Sequence, residues 1–133
     1  MFGNRFLKNW FSLLLAIPLF ASAAPPATDD EKDIAITSHA FEYNHKTGIA
    51  TYTGKVFAEQ GSRKLWGDKL QIIRTADGDI DKIIVTGLPA KLEQAGDIYE
   101  APLIEYDPSK ETVRSPQNGQ GQTTIILKPR ARS

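Results

Sequence analysis

The sequence predicts an all-β protein, a sandwich, roll or barrel, on three observations. Turn signals recur roughly every 8–12 residues, the spacing of short antiparallel strands. The runs between them alternate apolar and polar side chains, the two-residue period of a strand. The central stretch Thr51–Ile73 (TYTGKVFAEQGSRKLWGDKLQII) has four glycines within or just before it, and no apolar face repeats in it at helical spacing. A meander of this kind has one apolar face, and that face needs a cover, either another sheet or a ligand.

Taken in order, Asp33–Thr37 alternates with Ile34 and Ile36 on one face and forms the first strand. Ala40, Phe41 and Tyr43 lead to a turn at Asn44–Gly48, and Ile49–Thr53 has the β-branched and aromatic composition of a strand. Thr53-Gly54 breaks that run. A strand-like segment follows through Val56 and Ala58 to a Gln60-Gly61 turn, and another runs through Leu65, Leu70 and Ile72. Asp77-Gly78 is a hairpin signal. Ile80–Thr86 is the clearest strand, ended by Gly87 and Pro89. Ala90, Leu92 and Gln94 alternate with charges up to a turn at Gly96-Asp97. Tyr99–Tyr106 contains Pro102, which belongs at an edge or a bend. Asp107–Lys110 is a turn by composition, Glu111–Arg114 returns, Ser115–Gln122 is a polar loop and Thr123–Leu127 the last strand. The segments AFEYNHKTGIATYTG and LIEYDPSKETVRSPQNG echo each other weakly, as two similar winding units would.

The N-terminus has a different character. Arg5 and Lys8 precede an apolar run, Trp10–Phe20, interrupted only by Ser12, and Ala21-Ser22-Ala23 supplies small residues at the two positions a signal peptidase reads. That order predicts a secretory signal peptide over residues 1–23, cleaved after Ala23. The competing reading is an uncleaved anchor, for which the run is short against the ~20 residues a spanning helix needs. Residues 24–32 are then a flexible lead-in, 33–128 the β domain and 129–133 a basic tail. The cleaved chain would carry 14 basic and 16 acidic side chains, a net charge of −2. Such a body has no basic stripe for nucleic acid. The chain has no cysteine, so neither a disulfide framework nor thiol chemistry is available.

No constellation for catalysis stands out. His39 and His45 lie in polar or turn-like contexts, with no G-x-S-x-G nucleophile motif and no H-x-x-x-H or H-E spacing. Asp77, Asp79 and Asp81 are spaced by two, but Gly78 follows the first acid rather than the third, so a solvated turn accounts for them better than a calcium loop. No glutamates pair as in a glycosidase, and no glycine loop cradles phosphate. Neither an enzyme nor a cofactor is predicted. What remains is the apolar face. Alternation places Ile34, Ile36, Tyr52, Val56, Leu70, Ile72, Ile83, Val85, Leu92, Tyr99, Ile104 and Tyr106 inward. A closed core and an open apolar groove have the same period, so alternation leaves both readings open.

An ordered series of motifs narrows the choice. Tyr52-Thr53-Gly54-Lys55-Val56, Gln60-Gly61 and Gly67-Asp68-Lys69-Leu70 follow one another, preceded by Ile34-Ala35-Ile36 and followed by IIVTGLPAKLEQ and QTTIILKP. The series resembles the OstA-like family of periplasmic lipopolysaccharide-transport proteins over residues 33 to 129, with Lys55 where Asn is usual and Gly67 where Ala is usual. The chain is about one winding unit shorter than enteric members, running from the Tyr106 segment almost directly into the closing strand. The resemblance implies an open antiparallel β-roll, two facing sheets that form a bent jelly-roll trough whose apolar interior takes lipid A acyl chains. It implies head-to-tail stacking, and docking by edge-strand addition to LptC-like inner-membrane and LptD-like outer-membrane partners. Ile34 and Ile36, from the matched first strand, are the expected acyl-chain contacts; Tyr52, Val56, Leu92 and Tyr106 follow on alternation. Two other readings remain: a membrane-anchored LptC-like component, and a closed secreted sandwich for another small ligand.

Overall fold

The computed structural model describes residues 32–116 and 121–130; the expected signal peptide and part of the Ser115–Gln122 loop lie outside them. The described residues form eight strands in chain order: β1 (Ala35–Thr37), β2 (Ala40–Asn44), β3 (Ile49–Gln60), β4 (Arg63–Arg74), β5 (Ile80–Gln94), β6 (Asp97–Asp107), β7 (Thr112–Arg114) and β8 (Thr124–Ile126). They form one antiparallel sheet in the order β1-β3-β4-β5-β6-β7, with β2 also on β3 and β8 also on β6.

Each ladder between the four long strands loses register along one shared line, and the β4–β5 ladder shifts a second time at Ile73–Arg74 near its turn. In β3 the shift falls between Thr53 and Val56, where Gly54 and Lys55 both have positive φ (85° and 45°). Opposite it, β4 shifts between Trp66 and Lys69. Next to that, β5 shifts between Thr86 and Ala90, and β6 answers with Pro102 between Ala101 and Leu103. The extra residues bend each strand and increase its twist, so the shared crease folds the sheet onto itself. The edges divide at the same line: β2 pairs with β3 before the crease and β1 after it, while β8 pairs with β6 before the crease and β7 after it.

The result is an open antiparallel roll, a trough of two facing half-sheets with the crease along one side and the turns along the other. Its interior is apolar. Leu70, Ile72, Ile83, Val85 and Ile104 from one half meet Val56, Leu65 and Leu92 from the other, with Ala50, Ala58, Ala90 and Ala101 filling the space between. All twelve residues that alternation places inward lie in this cluster or pack against it.

Two expectations are corrected. The Thr53-Gly54 break does not end a strand, and neither do Gly87 and Pro89: β3 and β5 continue past them as bent 12- and 15-residue strands. Glycine and proline mark bends here because the flanking segments recover pairing on the far side of the crease. Pro102 fits a bend, as expected, since the outer neighbour changes from β8 to β7 beside it.

Candidate functional site

The interior opens at both ends of the roll, at the two sheet edges. At the N-terminal edge, a cleft of about 560 Å³ is lined by Ile34, Ile36, Tyr52, Ile72 and Ile80 together with Lys32, Asp33, Gln60 and Arg74. Ile36 pairs with Ala58 of β3 and so shares the inward face of a buried residue, and Ile34 precedes it at strand spacing. A second hollow, about 270 Å³, adjoins it through Tyr52 and Arg74 and is lined by Phe41, Tyr43 and Ala50. Phe41 pairs with Tyr52, their rings 5.0 Å apart, and Tyr43 pairs with Ala50. Both side chains therefore stand on the inner face, yet Phe41 is 60% exposed and Tyr43 38%. The cause is the opposing edge: β1 is three residues long and offers little to cover them.

At the C-terminal edge a smaller cavity, about 220 Å³, lies among Tyr99, Ala101, Ile104, Val113, Thr123 and Ile125. Beyond it Ile125, Ile126 and Leu127 are exposed. Between the two mouths the interior is packed shut: Leu70, Leu92, Val85 and Ile104 are 0–1% exposed.

Of the residues expected to touch ligand, Ile34, Ile36 and Tyr52 converge on the N-terminal mouth. Val56, Leu92 and Tyr106 lie in the closed middle, each at most 2% exposed. Sequence reasoning missed Phe41, Tyr43 and Ile80 at the mouth. The β2–β3 register carries the signal for the two aromatics, because it puts them opposite residues already read as strand. It also missed Arg63, which is 3% exposed inside the roll. Its Nη1 donates to Gln60 Oε1 at 3.0 Å and its Nη2 to the Tyr106 hydroxyl at 2.9 Å. Gln60 Nε2 in turn donates to the Lys32 carbonyl at 2.9 Å.

Both histidines are exposed, as are Asp77, Asp79 and Asp81. Among the described residues no three His, Cys, Asp or Glu side chains group as metal ligands would. A C-terminal cavity of mainly apolar lining and an N-terminal cleft that sets isoleucines beside polar and charged groups suit retention of an amphiphilic ligand. Fold and site together define a class: an open β-roll binding scaffold.

The particular family follows from comparison. The chain belongs to the family described as LptA/(LptD N-terminal domain) LPS transport protein, which it matches over residues 35–118. That family is one of transport proteins rather than enzymes. Among curated proteins, the lipopolysaccharide export system protein LptH of Pseudomonas aeruginosa is 34% identical over 84 residues, 63% of this chain and 47% of that protein. The chain thus spans about half the length of the curated relatives it matches. A 2-phospho-L-lactate guanylyltransferase of Methanothermobacter thermautotrophicus is 28% identical over 100 residues, 75% of this chain but 42% of that enzyme. At that identity and partial coverage it carries no case for nucleotide transfer. The crystal structure of LptH, titled the LptA homologous periplasmic component of the lipopolysaccharide transport device of P. aeruginosa, is 20% identical. It covers 77% of this chain and 100% of that one, with a TM-score of 0.49; the fold assignment rests on the strand pairing above and needs nothing from it.

Proposed function

We propose that this protein is a periplasmic carrier of lipopolysaccharide, exported by a signal peptide cleaved near Ala23, that holds lipid A acyl chains in its trough. One observation carries the reading: in a member of this transport family, Ile34, Ile36, Tyr52, Ile72 and Ile80 converge on an open cleft of mixed apolar and polar lining at a sheet edge. Burying an acyl chain is worth about 0.8 kcal/mol per CH₂, so tails alone supply the affinity and the acidic body need not attract the polyanionic headgroup. The ligand contacts are Ile34, Ile36 and Tyr52 at the mouth, and Val56, Leu92 and Tyr106 once chains reach the middle.

The edges suit a bridge. Among the described residues, β1 and β2 at one end each pair only with β3, and β7 and β8 at the other only with β6, so both ends present strands paired on one side. Unpaired edges are normally a liability; here they are docking surfaces for strand addition. Copies stack head to tail, and the ends of the stack meet LptC-like inner-membrane and LptD-like outer-membrane proteins.

The test is a photo-reactive residue at Ile36, in cells, probed for lipopolysaccharide, with exposed Lys55 as control. An adduct at Ile36 and none at Lys55 is expected. No adduct at Ile36 from folded, exported protein would favour a closed binder of another ligand. Sequencing the mature N-terminus separates the carrier, which begins at Ala24, from an anchored LptC-like component, which retains Met1.

A further inference from the structure

Resting on the carrier reading, we infer that Arg63 and Tyr106 form a clasp that holds the half-sheets together between the two mouths and opens when a lipid with several acyl chains enters. Three observations lead there. Arg63 stands at the tip of the β3–β4 hairpin in one half, and Tyr106 stands near the β6–β7 turn in the other. Their hydrogen bond therefore crosses the open side of the roll, opposite the crease. The guanidinium also lies 4.1 Å from the Tyr106 ring centroid, so the two side chains are stacked as well as bonded.

The contact sits between the two cavities. Gln60, which accepts from Arg63, lines the N-terminal cleft. Val113, the β7 partner of Tyr106, lines the C-terminal one. Cavities of about 560 and 270 Å³ lie at one end and one of about 220 Å³ at the other, and between them Leu70, Leu92, Val85 and Ile104 are packed with at most 1% exposure. A lipid with several chains can occupy the length of the interior only if the halves separate, and the clasp is what they separate at.

The chemistry suits a joint that opens. A buried guanidinium is desolvated, and apolar side chains of similar volume in its place would often hold the halves at least as well. When the clasp parts, the charge regains water, which offsets part of the cost of breaking the contact. An apolar seam has no such return, because opening it exposes hydrocarbon.

The chain lacks cysteine, so nitroxides can be placed on Glu59→Cys and Lys110→Cys, exposed positions beside the two tips. Their separation is then measured by pulsed electron paramagnetic resonance with and without purified lipopolysaccharide. The expected result is a longer distance with lipid. Tyr106→Phe, which keeps the ring and removes the acceptor, is expected to raise the long-distance population roughly tenfold at sub-saturating lipid. Lipid that co-elutes with the protein while the distance stays unchanged would overturn the clasp alone. Absence of any lipid binding would overturn the carrier reading and the clasp with it. The unsubstituted seam reports on its own, so the outcome does not depend on the Tyr106→Phe protein folding.

Discussion

Arg63 donates from Nη2 to the hydroxyl of Tyr106 at 2.9 Å, joining residues 43 positions apart in the chain across the interior of the roll. Both are buried, so the bond forms away from water, where an acceptor lost is not replaced by solvent. Tyr106→Phe should therefore lower stability by about 1.5–3 kcal/mol, the range for a hydrogen bond to a charged group. Urea unfolding checks it; the midpoint should fall with little change in slope.

The mouth and the middle should respond differently to a charge. Ile36 is half-buried at an opening, where a carboxylate can reach water, and Leu92 is fully buried. Ile36→Asp should stay folded by circular dichroism and lose lipopolysaccharide binding. Leu92→Asp should fail to fold, because an unpaired buried carboxylate costs several kcal/mol against a total stability of about 5–15 kcal/mol. A folded Leu92→Asp protein would contradict the packed middle.

Gly67 has no room for a side chain. A Cβ there would lie 2.5 Å from Val85 Cγ2 and 2.7 Å from the Thr86 carbonyl oxygen. The second neighbour is backbone and cannot swing aside. Gly67→Ala should destabilise by about 1–3 kcal/mol, the usual cost of overpacking, read as a lower thermal midpoint.

Lys55 adopts φ 45° in the β3 bend. Left-handed backbone disfavours most side chains, and asparagine tolerates it through local hydrogen bonding. Lys55→Asn should recover part of the roughly 1–2 kcal/mol that this backbone costs, seen as a higher urea midpoint. The side chain is exposed, so no packing is lost.

Asp107 caps the β6–β7 turn, and its carboxyl is held below the ordinary aspartate range, chiefly by the Ser109 hydroxyl. That hydroxyl donates at 2.7 Å, and the backbone N–H groups of Ser109 and Lys110 donate at 3.0 and 3.2 Å. With the folded value lowered, the turn's contribution is fully present above the unfolded value of ~3.9. It is lost as pH falls through the lowered folded value, because the unfolded chain then binds more protons. An NMR titration of the carboxyl carbon should give a midpoint below the unfolded value, and Ser109→Ala should move it upward.

Much of this protein was legible in its sequence, for local reasons. Period-two alternation depends only on neighbouring residues, and it placed twelve side chains inward, all of them in the core cluster or against it. Turn chemistry is equally local: Asp77-Gly78 falls between strands, and Asn44–Gly48 and Asp107–Lys110 each begin on the last residue of a strand and turn out of it. Ile34, Ile36 and Tyr52 could be named as interior positions on the same grounds.

The tertiary structure decided what depends on partners distant in sequence. A glycine or proline inside a strand reads the same whether the strand stops or bends, and only pairing on both sides of Gly54 and of Gly87–Pro89 shows that these strands continue. Alternation puts Ala58 and Ala90 in strand runs, but the smallness of Ala58, Ala90 and Ala101 matters only once the half-sheets face each other. Arg63 reads as surface because a charge is usually solvated, and only the fold brings Gln60 and Tyr106 within reach of it. Whether an inward side chain is core or mouth is likewise a question of what lies opposite. A three-residue β1 leaves Phe41 and Tyr43 open to solvent, whereas the long central strands seal Leu70 and Leu92 from it.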